Sequence, residues 1–207
     1  MKLYYSPGAC SLAPIILAEW LGLPLEIEKV NLKDPGDAFL KANPLGAVPA
    51  LVLDDGTSMT QVDAIMGYFM DLRPDSELDA GNDIMDRFEL HRWQALLTGD
   101  YHPPFGTWFN PGRFTTDHSD EGLMVVKNAT EQRISKVTAE LEAQIGDGEH
   151  IVLGRRTFID AYAYAMLRWL RLLDEDLEPW PNVARFLTAL EQDAGVTNAL
   201  ARERSGD

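Results

Sequence analysis

Apolar positions in this chain follow two different rhythms, and the change falls near residue 75. The first part mixes strand and helix signals. Lys2–Tyr5 is a short β-prone run ended by the turn signal Ser6-Pro7-Gly8. From Ser11 onward Leu12, Ile15, Ile16 and Trp20 share one helical face, and Gly22 supplies the stop. Leu25-Glu26-Ile27-Glu28 alternates apolar and charged, as a half-buried strand does. Asp37–Ala42 predicts a short helix closed by Asn43-Pro44. Residues 48–53 read as a buried strand, Asp54-Asp55-Gly56 as a turn, and 57–60 as a second, antiparallel strand. Ala64, Ile65, Tyr68, Phe69 and Leu72 then mark an amphipathic helix. The predicted order is βαβαββα.

After Arg73-Pro74-Asp75 the pattern is wholly helical. Ile84, Phe88, Trp93 and Leu96 predict a helix over 83–97. Leu123, Val126, Val137, Leu141 and Ile145 predict another over 121–145. Thr157-Phe158-Ile159-Asp160 has the form of a capping box, with Asp where Glu or Gln is commoner. It opens a helix carrying Ala161, Ala165, Met166, Trp169 and Leu173, and two shorter helices are expected near 182–192 and 197–204. No internal repeat or low-complexity tract interrupts this. A small α/β domain over 1–76 and an all-helical domain over 83–207 are expected.

Composition narrows the function classes. With 45% hydrophobic residues in 207, the chain can bury a real core. Its 18 basic and 33 acidic side chains leave a net charge of −15, which argues against a nucleic-acid surface and against docking to an anionic membrane. No apolar run approaches the roughly 18–20 residues of a membrane span. The opening MKLYYSPG carries no secretory signal, so a cytoplasmic protein is expected. One cysteine, Cys10, excludes an internal disulfide framework and a cysteine-based zinc site.

Cys10 falls between the first strand and the first helix. A thiol there meets the positive end of the helix dipole, which favours the thiolate; a lone cysteine is otherwise usually a small, inert core residue. With no second thiol, any redox partner must come from outside, and a small thiol cosubstrate fits. Val48-Pro49 precedes an apolar strand, where proline is tolerated. A cis bond there would turn the Val48 backbone outward to a peptide ligand; a trans bond is the commoner state. Gln61-Val62-Asp63 enters a helix, whose N-terminus can bind a carboxylate, although Asp63 equally serves as a helix-start charge. His102 titrates near neutrality and is suited either to polarising a thiol or to a structural role. Trp108, Phe109, Phe114, Tyr164 and Trp169 are core residues or the floor of an apolar pocket.

Together these residues resemble the glutathione transferase family, most closely its bacterial beta class. The run from Met1 to Pro14, MKLYYSPGACSLAP, matches that class almost letter for letter. Asn43-Pro44-Leu45-Gly46-Ala47-Val48-Pro49-Ala50-Leu51 is similar to the family's Asn-Pro-x-Gly-x-Val-Pro-x-Leu segment, in which the proline is cis and the valine backbone grips glutathione. The box at 157–162 resembles that of the family's core helix. His102-Pro103-Pro104-Phe105 with Phe109 resembles the beta-class His-x-x-Phe-x-x-x-Phe stretch.

The resemblance implies a thioredoxin-like domain that binds glutathione, a helical domain that supplies the electrophile pocket, and a homodimer. Glutathione would be a cosubstrate, with no resident cofactor or metal. Cys10 would be the sulfur-site residue and His102 its neighbour. Tyr5 and Ser11 would offer hydroxyls near the sulfur, and Lys33 a cation near the glycyl carboxylate. Asp100 would reach the γ-glutamyl amine across the dimer, and Trp108, Phe109 and Trp169 would line the pocket for a small hydrophobic electrophile.

One stretch departs from the family pattern. Where Glu-Ser, Gln-Ser or Glu-Gly is usual before Ala-Ile, this chain has Gln61-Val62, followed by Asp63. Gln61 keeps an acceptor without charge, and Val62 offers only its backbone N–H. One charge-assisted hydrogen bond is worth ~1.5–3 kcal/mol, roughly tenfold to a hundredfold in affinity. Two functions are therefore expected to compete. One is an enzyme that conjugates glutathione to apolar electrophiles or reduces mixed disulfides through Cys10; the other is a non-catalytic binding module on the same fold.

Overall fold

The computed structural model describes residues 1–206. Its first part is β1 (Lys2–Tyr5), α1 (Leu12–Leu21), β2 (Glu26–Lys29), α2 (Asp37–Ala42), β3 (Ala50–Val52), β4 (Ser58–Thr60) and α3 (Val62–Asp71). This is the βαβαββα order expected from the pattern. The sheet runs β2-β1-β3-β4, with β1 parallel to β2 and antiparallel to β3, and β3 antiparallel to β4. Lys2 lies opposite both Glu26 and Val52, and Ala50 opposite Thr60.

Strand alternation divides the side chains between two cores. Leu3 and Tyr5 join α1 and α3 in the main one, while Tyr4 and Ala50 meet Val30, Phe39 and Ala42 beneath α2. The sequence marks one apolar face on α1, yet Leu12 through Ala18 are all buried. α1 is enclosed because α3 packs on it and two helices of the second part cover it as well. Gly22 ends it in the left-handed conformation, where glycine has no Cβ penalty.

The second part holds α4 (Ile84–Ala95), α5 (His102–Phe109), α6 (Asp120–Ile145), α7 (Phe158–Leu167), α8 (Pro181–Leu190) and α9 (Ala194–Ser205). The helix expected over 83–97 does not stop there. It passes through a π-helical turn, Leu96–Tyr101, directly into α5. Pro103 and Pro104 explain the turn. Lacking N–H groups, they cannot bond the carbonyls of Gly99 and Asp100 in α-helical register. The His102 N–H instead reaches back five residues to the Leu97 carbonyl.

α7 is buried along its whole length, and α1 packs against both α7 and α9. The Asp160 carboxylate accepts from Thr157 N–H at 2.7 Å, as the capping box requires, and from Ile151 N–H at 2.9 Å. The helix expected to run to Leu173 tightens instead into a 3₁₀ segment, Arg168–Leu172. Phe158 N–H bonds the Leu78 carbonyl, and Arg155 donates to the carbonyls of Glu77 and Asp79, so the connecting strap is tied to the start of α7. One continuous buried core spans both parts. No helix among the described residues is long and apolar enough to cross a membrane.

Candidate functional site

Where the two parts meet lies a cleft of about 270 Å³. Cys10 comes to it from the β1–α1 loop, Val48 and Pro49 from the approach to β3, and Gln61, Val62 and Asp63 from the start of α3. His102 enters from the first turn of α5, and Tyr162 from α7. Cys10, Val48, Pro49, Gln61, Val62, Asp63 and His102, seven of the residues singled out in the sequence, thus share one cavity.

Cys10 Sγ donates to the Val48 carbonyl at 3.4 Å. Burial pushes this thiol up to about 12; its own backbone N–H and the Arg168 charge act the other way and do not offset the lost hydration. The sequence led us to expect a thiolate-prone cysteine. The structure corrects this: near neutral pH Cys10 is a protonated thiol. The Val48–Pro49 bond is cis. No group among the described residues accepts the Val48 N–H, which leaves a backbone donor at the cleft.

Gln61 occupies the N-cap of α3 at φ 72°, and its side chain does not cap the helix. The first intrahelical bond runs from Ile65 N–H to the Gln61 carbonyl, so the N–H groups of Val62, Asp63 and Ala64 stay free for a ligand. A non-glycine residue at such an angle costs about 1–3 kcal/mol unless its surroundings hold it, and such residues cluster at ligand sites. Asp63 accepts a hydrogen bond from Gln94 Nε2 of α4. Its charge is therefore held beside the cleft by a neutral partner.

His102 Nδ1 lies 2.9 Å from the Tyr162 hydroxyl. Burial lowers this imidazole to about 4, so it is neutral at pH 7, and burial raises the Tyr162 phenol. The His102 ring also packs on Trp169 at 5.5 Å, and Trp169 on Phe105 and Phe109 at 5.2 and 5.3 Å. This aromatic wall adjoins the cleft without lining it.

The other predicted residues lie elsewhere. Tyr5 is fully buried, and its hydroxyl donates to the Glu203 carbonyl at 3.1 Å. The Ser11 hydroxyl folds back on Ser6, accepting from its N–H and donating to its carbonyl. Neither hydroxyl lines the cleft with the thiol. Lys33 borders a separate surface depression with Ser6, Pro7 and Lys29. Asp100 is exposed and paired with Arg133 of its own chain. Trp108 donates to Glu131 at 2.8 Å and stacks edge-on with Phe109.

Three residues that contact His102 or the cysteine loop lay outside the sequence reading. Tyr162 stood only inside the capping-box stretch. Arg168 and Glu203 form a nearly buried ion pair at 3.3 Å that grips the cysteine loop. Glu203 accepts from Gly8 N–H, Arg168 donates to the Ala9 carbonyl, and Trp169 Nε1 donates to the Gly8 carbonyl at 2.7 Å. Gly8 is separated from Trp169 by 161 positions and from Glu203 by 195, which leaves no local pattern to read.

A thioredoxin-like α/β unit carrying a cysteine loop, a cis-proline approach and an open helix N-terminus, joined to an all-helical part, defines the glutathione S-transferase fold. Residues 8–72 match the model of the glutathione S-transferase N-terminal domain, and residues 125–189 that of the C-terminal domain. The glutathione S-transferase GstA of Escherichia coli O157:H7 is 34% identical over 98% of both chains. Among solved structures, the beta-class glutathione S-transferase of Sphingomonas chungbukensis superimposes with a TM-score of 0.85 at 33% identity, covering 98% of both chains. A sphingomonad glutathione S-transferase complexed with glutathione gives 0.83 at 33% identity, covering 99% of both. The chain belongs to the glutathione S-transferase family.

Proposed function

We propose that the protein binds glutathione in this cleft and transfers its thiolate to small hydrophobic electrophiles. One observation carries the reading: unpaired backbone donors converge on the cavity that holds Cys10 and His102. The open N–H of Val48 suits the peptide backbone of glutathione's cysteinyl unit. The free N–H groups of α3 suit the γ-glutamyl carboxylate, with the helix dipole adding to the attraction. Gln61 and Asp63 are the acceptors for its ammonium. The sulfur would then lie between Cys10 and His102, and the wall of Phe109 and Trp169 would take the apolar electrophile.

Conjugation is favoured over disulfide reduction because Cys10 is a protonated hydrogen-bond donor rather than a nucleophile. In the second reading the Cys10 thiolate attacks the glutathionyl sulfur of a mixed disulfide and expels the other thiolate. A second glutathione thiolate then frees Cys10 and leaves as oxidised glutathione. Its support is the opening of Cys10 into the same cleft.

We also infer a homodimer, in which Asp100 reaches the ammonium of glutathione held by the other copy. The compartment we assign is the cytoplasm, where glutathione keeps thiols reduced. Retention on immobilised glutathione, followed by turnover of a chlorodinitrobenzene with free glutathione, tests the function. Retention with turnover is expected. A chain that flows through and turns nothing over is a binding module instead.

A further inference from the structure

The two ring nitrogens of His102 have unlike surroundings. Nδ1 meets the Tyr162 hydroxyl at 2.9 Å. Nε2 has no protein partner among the described residues, and it is not sealed from solvent in a ring that lines the cleft. Tyr162 and Trp169 pack on the ring at 6.0 and 5.5 Å and restrict its rotation.

A 2.9 Å contact permits either atom to carry the proton, and chemistry chooses between them. A phenol, with an ordinary pKa near ~10, is a far better donor than a neutral imidazole N–H, and an imidazole nitrogen is the better acceptor. The charged or titratable groups bearing on the pair are Asp63 and Cys10; Asp63 acts to keep the Tyr162 phenol protonated, and Cys10, a neutral thiol near pH 7, adds to this only where it ionises. Burial leaves the imidazole neutral. The proton therefore belongs to Tyr162, pointing at Nδ1.

We propose that Tyr162 is a positioning residue: its hydroxyl donates to Nδ1 and holds His102 as the neutral Nε2–H tautomer, a fixed hydrogen-bond donor to the sulfur of bound glutathione. The inference rests on the glutathione reading above. His102 then is not the base. The thiol proton leaves to solvent, and Nε2–H stabilises the negative sulfur that remains. Catalysis follows the ionisation of bound glutathione, with no imidazole titration near neutrality.

Two measurements on the intact protein test this. Long-range ¹⁵N–¹H spectra, with His102 assigned by its loss in His102→Ala, should show the Nε2–H tautomer in the absence of any ligand. The Nδ1–H tautomer overturns the proposal. The thiolate absorbance of bound glutathione, titrated with pH, should then shift upward in Tyr162→Phe, leaving roughly tenfold less thiolate below the wild-type midpoint. Binding of S-methylglutathione, which has no ionisable sulfur, should change less than about twofold. An unmoved midpoint in Tyr162→Phe overturns the positioning role. Equal losses of glutathione and S-methylglutathione affinity make Tyr162 merely structural and overturn it too. A wild-type protein that binds neither compound overturns the glutathione reading, and with it the sulfur as recipient, while the tautomer is still decided by the spectra.

Discussion

Cys10 sits where opposing influences act on one thiol: the start of α1 and the Arg168 guanidinium favour its anion, and loss of hydration opposes it. Loss of hydration dominates and pushes the thiol up to about 12. Against a free thiol at ~8.5, the thiolate fraction at pH 7.5 falls on the order of a thousandfold. In the ligand-free protein iodoacetamide should therefore modify Cys10 at least a hundredfold more slowly than a model thiol, by intact mass. An equal rate would restore the thiolate picture. His102 responds to burial with the opposite sign. Its folded pKa of about 4 lies below the unfolded ~6.5, so between these values the unfolded chain binds a proton that the folded one refuses. Stability should thus be unaffected by this group above about pH 6.5 and fall as pH drops toward 4, by at most about 3 kcal/mol. Urea unfolding at pH 7 and pH 4.5 reads this loss, and His102→Gln should reduce it. The sequence singles out both residues as candidates, and both line the cleft. Their protonation states were not legible there, because the groups that desolvate them come from distant parts of the chain.

Among the elements, those defined by local rules match the sequence reading closely. Ser11 and Gly22 bracket α1, Asn43 closes α2, and Asp160 caps α7. The π turn before His102 was illegible because apolar spacing records which face is buried, not which carbonyl an N–H selects. The enclosure of α1 was illegible for another reason: α9, which covers it, begins more than 170 residues later. That contact makes a test of helix packing. In an exposed helix, Gly→Ala stabilises by about 1 kcal/mol through backbone entropy. A Cβ on Gly195, in the first turn of α9, would collide with the Trp20 indole, whose Nε1 is already fixed by a 2.7 Å bond to Asp193. Gly195→Ala should therefore destabilise by about 1–3 kcal/mol, the usual cost of overpacking, as measured by chemical denaturation. A stabilised variant would show that α9 can slide away from α1.

At the scale of the whole molecule, burial and charge pull association in opposite directions. Ile84, Met85 and Phe88 stand on the opening turns of α4 with 79%, 63% and 54% of their surface exposed, and Met124 and Val125 of α6 are also open. Ile84 and Phe88 follow one another a turn apart on α4, and exposed apolar side chains grouped so are suited to an interface. Two copies would bring together chains of −15 each, so their contact must be apolar enough to overcome repulsion. The inferred homodimer therefore has a salt signature: added salt screens the repulsion and should tighten it, whereas a contact held by ion pairs would loosen. Light scattering at micromolar concentration should give twice 23.1 kDa, with a lower dissociation constant at 0.5 M salt than at 0.05 M. Ile84→Glu combined with Phe88→Glu should release a folded monomer, since both side chains are solvated in the single chain. If Asp100 serves the partner's ligand, that monomer should also bind glutathione more weakly, and Asp100→Asn should weaken binding in the dimer but not in the monomer. A wild-type mass of 23.1 kDa overturns the dimer, and an Asp100→Asn effect of equal size in the monomer assigns Asp100 to its own cleft.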